Sequence, residues 1–304
     1  MKDLTAIIIS FFRPNYTIDC IKSLRKEYPK IKILVGENGE MNSDIEHLVS
    51  VIGGRYIQLP FDSGVGGGRN RLISEVETKY VLVGDNDFLY DRHAKVDKLL
   101  KFLKSNKRFD VIGGRILEQN SVKNYQGNLE IQEDCIIYSA VNENEVKKKN
   151  RASGLRYKKV DITFNYFVAR VKDIIDLPWD EHIKVAYEHS HWFINAKKVG
   201  KRIAFAPDAI VKHKHQSYLV DPKYSKYRNR KSDKHYFFKS LGIKHLKGFN
   251  GSIDRIKVNG DKKYFAKKMV TIKGRLRNVG DVIIMDKNDY DRLPKGLKEK
   301  IIYS

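Results

Sequence analysis

The chain has 304 residues, 41% of them apolar and 32% charged, enough for a sizeable core and too apolar for a disordered protein. Two cysteines, Cys20 and Cys135, exclude a disulfide-stapled miniprotein and point to a reducing compartment, and no apolar run approaches the roughly 20 residues needed to span a bilayer. The net charge of +22 is lopsided: residues 1–150 carry 23 basic and 21 acidic side chains, the remainder 36 and 16. Such asymmetry would attract a polyanion or an anionic membrane surface, the plainer reading being a solvated basic face. Near the N-terminus, Asp3, Arg13 and Pro14 interrupt the hydrophobic stretch that a secretory signal needs, so a cytoplasmic protein is expected.

Thr5–Ser10 is an apolar, β-branched run and reads as a buried strand, with a loop at Phe11–Pro14. Ile18, Ile21 and Leu24 recur at helical spacing between Tyr16 and Tyr28, and Pro29 ends the pattern. Lys32–Gly36 and Arg55–Leu59 read as strands around a helix at Ile45–Ile52. Ser63–Gly68 reads as a glycine-rich turn, Arg69–Glu77 as a helix, and Tyr80–Val83 as a fourth strand ending in Gly84-Asp-Asn-Asp87. Strands alternating with helices predict a doubly wound, mostly parallel α/β sheet, with ligands beyond the carboxyl ends of its strands.

Further on, Ala94–Leu103 is amphipathic, Val111–Ile116 is strand-like and Asn142–Arg156 is polar enough for an exposed loop. Val160–Arg170 alternates like one strand, Glu188–Val199 reads as a helix capped by Gly200, and Ile203–Ala206 and Ile210–Val211 read as short strands. Between Lys212 and Lys247 there are eleven Lys or Arg and two Asp, interleaved with Tyr218, Tyr224, Tyr227, Tyr236, Phe237 and Phe238. Ile256–Val258, the Asn259–Gly260 turn, Tyr264–Ile272 and Val282–Met285 suggest a small basic β-rich appendage carrying Lys262, Lys263, Lys267, Lys268, Arg275 and Arg277. The expected organisation is a catalytic domain over 1–216, a basic aromatic-rich linker or helical segment over 217–251, and the appendage over 252–304.

Asp85-Asn-Asp87 places two carboxylates one residue apart after a strand, where both can face a divalent cation; hard oxygen ligands suit Mn²⁺ or Mg²⁺. Alone, this D-x-D is a weak signal. In order and spacing, however, Leu59–Gly64, Gly68–Asn70, Thr78–Tyr80 and Asp85–Phe88, then Asp161, Asn165–Arg170, Trp179–Asp180, Glu188–His189 and Val211–His213, resemble GT-A glycosyltransferases of the family 2 type. Among these they are similar to the ganglioside-type β-1,4-N-acetylgalactosaminyltransferases, over residues 4–216. One departure is Asn86, a position often acidic in that group.

The resemblance implies a GT-A fold, a UDP-sugar donor and an inverting, metal-dependent transfer. It implies that Arg13 and Glu37 hold uracil and ribose, that Asp62, Arg69 and Asn70 belong to a nucleotide-facing loop, with Arg69 on phosphate or Asp85, and that Asn165 binds the donor sugar. Asp85 and Asp87 would hold the metal with His213, His215 standing second. Glu188 is the expected base, with Asp180 in reserve; the plainer reading of Glu188 is an acid at a helix N-terminus. Trp192 is expected to stack on a sugar or base.

For the acceptor, basic residues among aromatics suit phosphates and unstacked bases, so a 5-hydroxymethylated pyrimidine in DNA, viral DNA included, is the leading expectation. The alternative enzyme is a bacterial surface-polysaccharide or lipid-linked glycan transferase docking peripherally on anionic membrane; a non-catalytic nucleic-acid-binding protein is the third reading.

Overall fold

Short apolar strands buried on both faces must be covered by helices, and the first half of the chain is built this way. In chain order its elements are β1 (Leu4–Ser10), α1 (Pro14–Glu27), β2 (Lys32–Glu37), α2 (Ser43–Val51), β3 (Arg55–Gln58), α3 (Gly64–Ser74), β4 (Tyr80–Val83), β5 (Phe88–Leu89), α4 (Val96–Ser105), β6 (Val111–Glu118) and β7 (Ser121–Lys123). There follow β8 (Gly127–Ile131), β9 (Cys135–Ala140), β10 (Lys158–Val160), β11 (Phe167–Arg170), α5 (Val171–Ile174), α6 (Glu188–Lys198), β12 (Ile203–His213), α7 (Pro222–Arg228), α8 (Lys231–Leu241) and β13 (His245–Lys247). This computed structural model describes residues 1–119, 121–123, 125–214, 222–228 and 231–255, and of the remainder 261–266, 270–272, 275–277, 282–286, 290–291, 293–299 and 301–303. His215, Tyr218, Ile256–Gly260, Lys267 and Lys268, singled out above, lie outside the described residues, as do the side chains of Lys262, Lys263, Arg275 and Arg277.

The main sheet has the order β10-β12-β6-β11-β4-β1-β2-β3, with β5 beside β12 and β7 beside β6. β4, β1, β2 and β3 are parallel, as are β6 and β12, whereas β11 runs antiparallel to both β4 and β6. The chain winds outward from β1 to β3 and then returns to set β4 on the other side of β1. The loops leaving β1 and β4 therefore diverge, and a crevice opens between them. Pro14 starts α1, where its missing N–H is not needed, and Asn42 caps α2 by accepting from the Ile45 amide at 3.0 Å.

Ala6 and Ile8 of β1 face a core shared with Cys20, Ile21 and Leu24 of α1 and with Leu99, Phe102 and Leu103 of α4. Phe102 is fully buried, its ring 4.8 Å from Tyr157 and 5.7 Å from Phe109. Elsewhere Trp192 stacks between Trp179 (4.8 Å) and Phe167 (5.7 Å). Both cysteines are buried, Cys20 with its Sγ 3.8 Å from the Asp85 carbonyl oxygen.

Several elements differ from the sequence reading. The expected glycine turn at Ser63–Gly68 is the start of α3, and its glycines make room mainly for protein. A Cβ on Gly64 would lie 2.8 Å from Lys184 Cα, on Gly66 2.9 Å from Trp179 Cβ, and on Gly68 2.8 Å from Ile9 Cδ1. Val160–Arg170 is two strands, because β10 pairs with β12 while β11 pairs with β4 and β6; between them Asp161 turns to the Leu129 amide and Lys197. Conversely, the two short strands expected after Gly200 form one, β12, with a register shift between Phe205 and Ile210. Of the 217–251 segment, expected as a linker or helical stretch, the described residues form helices α7 and α8; β13 pairs in parallel with β9, and Phe237 and Phe238 are fully buried, so α7, α8 and β13 belong to a first compact unit, Met1–Asp254.

The second unit, Arg255–Ser304, contains Asp261–Ala266 antiparallel to Val282–Asp286 and to Ile301–Tyr303, and a separate pair, Val270–Ile272 with Arg275–Arg277. Among the described residues no helix is long and apolar enough to cross a membrane.

Phe102→Ala removes a fully buried ring from the core and from its packing against Tyr157 and Phe109. It should lower unfolding free energy by about 3–5 kcal/mol, read from urea denaturation.

Candidate active site

Residues from the carboxyl ends of several strands meet in a cavity of about 320 Å³ at the β1–β4 crevice. The loop after β1 contributes Phe11 and Arg13, the turn after β2 Asn38, and the turn after β4 Asp85, Asn86 and Asp87. α3 brings Gly64, Val65 and Arg69; the β10–β11 segment brings Asn165; α6 brings Glu188; and the end of β12 brings His213. Tyr224, Tyr227 and Arg228 of α7 form another wall. Two non-glycine residues at this mouth, Phe12 (φ +54°) and Asp62 (φ +56°), hold left-handed backbone conformations, a strain common around ligand sites.

Arg69 forms the floor. Its guanidinium is 1% exposed and donates to Asp85 at 2.7 Å and to Asn165 at 3.4 Å, lies 3.9 Å from Glu188, and faces the Trp179 ring. Opposite, Arg13 donates to Asp87 at 3.1 Å and to Asn86 at 3.3 Å while stacked between Tyr224 (4.4 Å) and Tyr16 (4.9 Å). Asn86, the departure from an acidic residue, also donates to Thr17 Oγ1 at 3.0 Å. An ionised carboxylate could accept from Arg13 but could not donate to Thr17, whose hydroxyl would have to turn from Ser10 and donate in its place.

Burial works against the charge on Asp87, yet His213 and Arg13 overcome it and hold the carboxyl below its usual range. Burial likewise opposes the charged form of His213, but Asp87 and Glu118, at 3.3 Å and 2.5 Å, push it up to about 9. Glu188 behaves differently: burial raises it to about 7, against the opposing pull of Arg69. Burial, with Arg69 beside it, depresses His189 to about 3, so its imidazole is neutral where it meets Asn165.

Among the described residues no three His, Cys, Asp or Glu side chains form a ready-made metal cage. Asp87 Oδ1, however, is buried without a hydrogen-bond partner among the described residues, and His213 stands beside the same carboxylate. The orphaned carboxylate oxygen of Asp87 fits a hard divalent cation that takes other ligands from a diphosphate and water, and such a cation would displace the Nε2 proton that Asp87 otherwise holds on His213, with Glu118 keeping the Nδ1 proton. Asp85 is engaged by Arg69 on its other side.

Of the residues singled out from sequence, Arg13, Asp62, Arg69, Asp85, Asp87, Asn165, Glu188 and His213 meet at the cavity, and Glu37, Asn70, Asp180 and Trp192 do not. Glu37 folds back to accept from the Gly39 amide at 2.8 Å, leaving the next residue, Asn38, to face the cavity. Asn70 clasps the backbone of Trp179, donating to its carbonyl at 2.9 Å and accepting from its amide at 2.8 Å. Asp180 lies aside from the cavity, bonded to His182. Trp192, expected to stack on a ligand, is 1% exposed and stacks on protein rings instead.

The aromatic residues expected to receive bases are also used within the fold. Tyr224 lies under Arg13, Tyr227 packs on Phe11, Phe12 and Phe61, Tyr236 stacks on His182, and Phe237 and Phe238 are core. Tyr224, Tyr227 and Arg228 are thus cavity residues that sequence reasoning assigned elsewhere. Their spacing on one helical turn after Pro222 was the available signal.

Fold and cavity together define a GT-A-type α/β protein. The model of the family described as Glycosyl transferase family 2 matches residues 5–177, and the chain belongs to that family. It is similar to β-1,4 N-acetylgalactosaminyltransferase 2 of Mus musculus, 35% identical over 111 residues, which are 35% of this chain and 20% of that protein. It is also similar to β-1,4 N-acetylgalactosaminyltransferase 1 of Rattus norvegicus, 25% identical over 214 residues, 69% of this chain and 38% of that protein. The chain thus spans well under half the length of these relatives. Among solved structures, GalNAc-T7 with UDP, GalNAc and Mn²⁺ has the same fold with a TM-score of 0.54 at 10% identity, over 81% of this chain and 55% of that one. S. aureus TarS gives 0.51 at 15% identity, over 74% and 39%.

A carboxyl titrating near 7 when folded and near 4.5 when unfolded costs stability as pH rises from the lower value through the higher, where only the unfolded state is ionised. Glu188→Gln should therefore be more stable than the parent at pH 8 by about 3 kcal/mol, with the gap closing below pH 5. Urea melts of both proteins at the two pH values measure it.

Proposed function

We propose that the protein transfers a sugar from a UDP-sugar to an acceptor hydroxyl with inversion, Glu188 serving as the base. The observation that carries this reading is a desolvated carboxyl with an affinity for protons near neutrality, in one cavity with the Asp85-Asn-Asp87 turn and two arginines.

In the reaction the acceptor oxygen bonds to the anomeric carbon as the bond from that carbon to the diphosphate oxygen breaks. The bonding pair leaves with UDP, and the acceptor proton passes to the Glu188 carboxylate. Arg13 and Arg69 stand as fixed positive charge beside the leaving diphosphate, preorganised by their stacking and burial. Asp87 and His213, with Asp85 adjoining, would hold Mn²⁺ or Mg²⁺; when bound, the cation neutralises charge on the diphosphate. Asn165, fixed by Arg69 and His189, is placed to bind the donor sugar.

Relatives named β-1,4 N-acetylgalactosaminyltransferases support UDP-N-acetylgalactosamine as the donor and a sugar hydroxyl as the acceptor in this reading. Hydroxymethylated DNA keeps the support of the C-terminal charge alone, since the described aromatic residues that would stack bases are occupied.

With UDP-N-acetylgalactosamine and Mn²⁺, the protein should release UDP, faster with a glycan acceptor than with a 5-hydroxymethylcytosine duplex. EDTA and Asp87→Ala should abolish release, and Glu188→Gln should lower kcat by about 10²–10⁴. The activity should rise with pH through about 7, as Glu188 loses its proton, and this limb should vanish in Glu188→Gln. A sugar adduct confined to the hydroxymethylated duplex would transfer the proposal to DNA. Full UDP release by both variants would end the assignment of the site.

A further inference from the structure

Glu188 follows a segment, Trp179–Tyr187, that has no regular secondary structure, yet its carboxylate has a fixed place beside Arg69. The near end is fastened to α3: Asn70 clasps Trp179, and the Val65 amide donates to the Lys184 carbonyl at 2.7 Å. The last three residues, 185–187, are held from another side. Tyr187, immediately before Glu188, has φ +72°, a conformation that costs a tyrosine of order 1 kcal/mol and persists only where the surroundings over-determine it.

Those surroundings come from α8 and the chain beyond it. Asp233 is 1% exposed, and its Oδ2 accepts from the Val185 amide at 2.9 Å and from the Ala186 amide at 3.3 Å. The Tyr187 ring stacks on Phe237 at 4.8 Å, and its hydroxyl donates to Asp254, which Lys234 also engages. A buried carboxylate bonded to two successive amides is a strong, directional restraint, and here it acts within three residues of Val185's contact with the cavity and of Glu188.

We propose that Asp233 is a positioning residue for Glu188, pinning the Val185 and Ala186 amides so that Tyr187 keeps its left-handed turn and the base stays against the cavity floor. This rests on the reading of Glu188 as the base. Misplacing a reacting group by about 1 Å costs on the order of 10²-fold in rate, and that sets the size of the expected effect.

The test compares Asp233→Ala, Asp233→Asn and Glu188→Gln in the full-length protein, with UDP release from UDP-N-acetylgalactosamine to water as the assay and Mn²⁺ present. Asp233→Ala should lose about 10–100-fold in kcat per folded molecule, with KM for the donor changed less than about twofold. Its acid limb should move below about 7 as Glu188 gains water, the charged groups facing it, Arg69 and Asp85, being untouched. Asp233→Asn keeps an acceptor oxygen of the same reach and should return most of the rate. If Asp233→Ala does not fold, Asp233→Ser, too short to hold both amides, carries the same expectation. A wild-type kcat and unmoved acid limb in the Ala or Ser variant, or a loss matching only the unfolded fraction, overturns the proposal. Glu188→Gln separates the two readings: if it retains turnover, the base assignment fails; if it is inactive while Asp233→Ala is normal, only the positioning role fails.

Discussion

A guanidinium cannot be taken out of water without partners, and the burial of Arg69 governs what surrounds it. Its charge is permanent, so the floor of the cavity must supply carboxylate and carbonyl oxygens at fixed directions; Asp85, Asn165 and Glu188 do so. The same charge moderates the rise in Glu188 and, second to burial, keeps His189 neutral. One side chain on α3 thus links the turn after β4, the segment before β11 and the start of α6. α3 can deliver it because three glycines let the helix lie close against Ile9, Trp179 and Lys184.

The sheet order makes this convergence geometrically cheap. Arg13 and Asp85–Asp87 leave adjacent strands at the point where the winding reverses, and β12, after its register shift, ends with His213 opposite Phe88 and Glu118. The late elements α7 and α8 complete the arrangement from outside the sheet, α7 by stacking Tyr224 on Arg13 and α8 by bonding the segment before Glu188.

The parallel half of the sheet was legible because β1, β2 and β4 are apolar runs separated by helical periodicity, and eight of the residues singled out there or later do meet at one cavity. What escaped the sequence reading was governed by contacts between distant segments. A glycine run looks the same whether it admits a ligand or a neighbouring loop, and only the proximity of Trp179 and Lys184 decides for the loop. Glu37 and Asn38 are equivalent in a string of letters; the turn after β2 sends one to its own backbone and the other to the cavity. Basic and aromatic residues between Lys212 and Lys247 were counted as a surface, although packing turns Phe237 and Phe238 inward and Tyr224 toward Arg13. The break in Val160–Arg170 was hidden because each half alternates correctly for a different strand partner.

The two cysteines stand in separate layers of this arrangement. Cys20 lies on α1 beneath the Asp85 turn, in the core behind the parallel sheet, while Cys135 opens β9 in the small sheet that also holds β8 and β13. Burial pushes the Cys20 thiol far up, so it resists alkylation while the fold is closed. Each thiol is therefore a built-in clock for its own region: the rate at which a small alkylating agent reaches Cys20 times the opening of the core under the cavity, and the rate at Cys135 times the parting of the peripheral sheet.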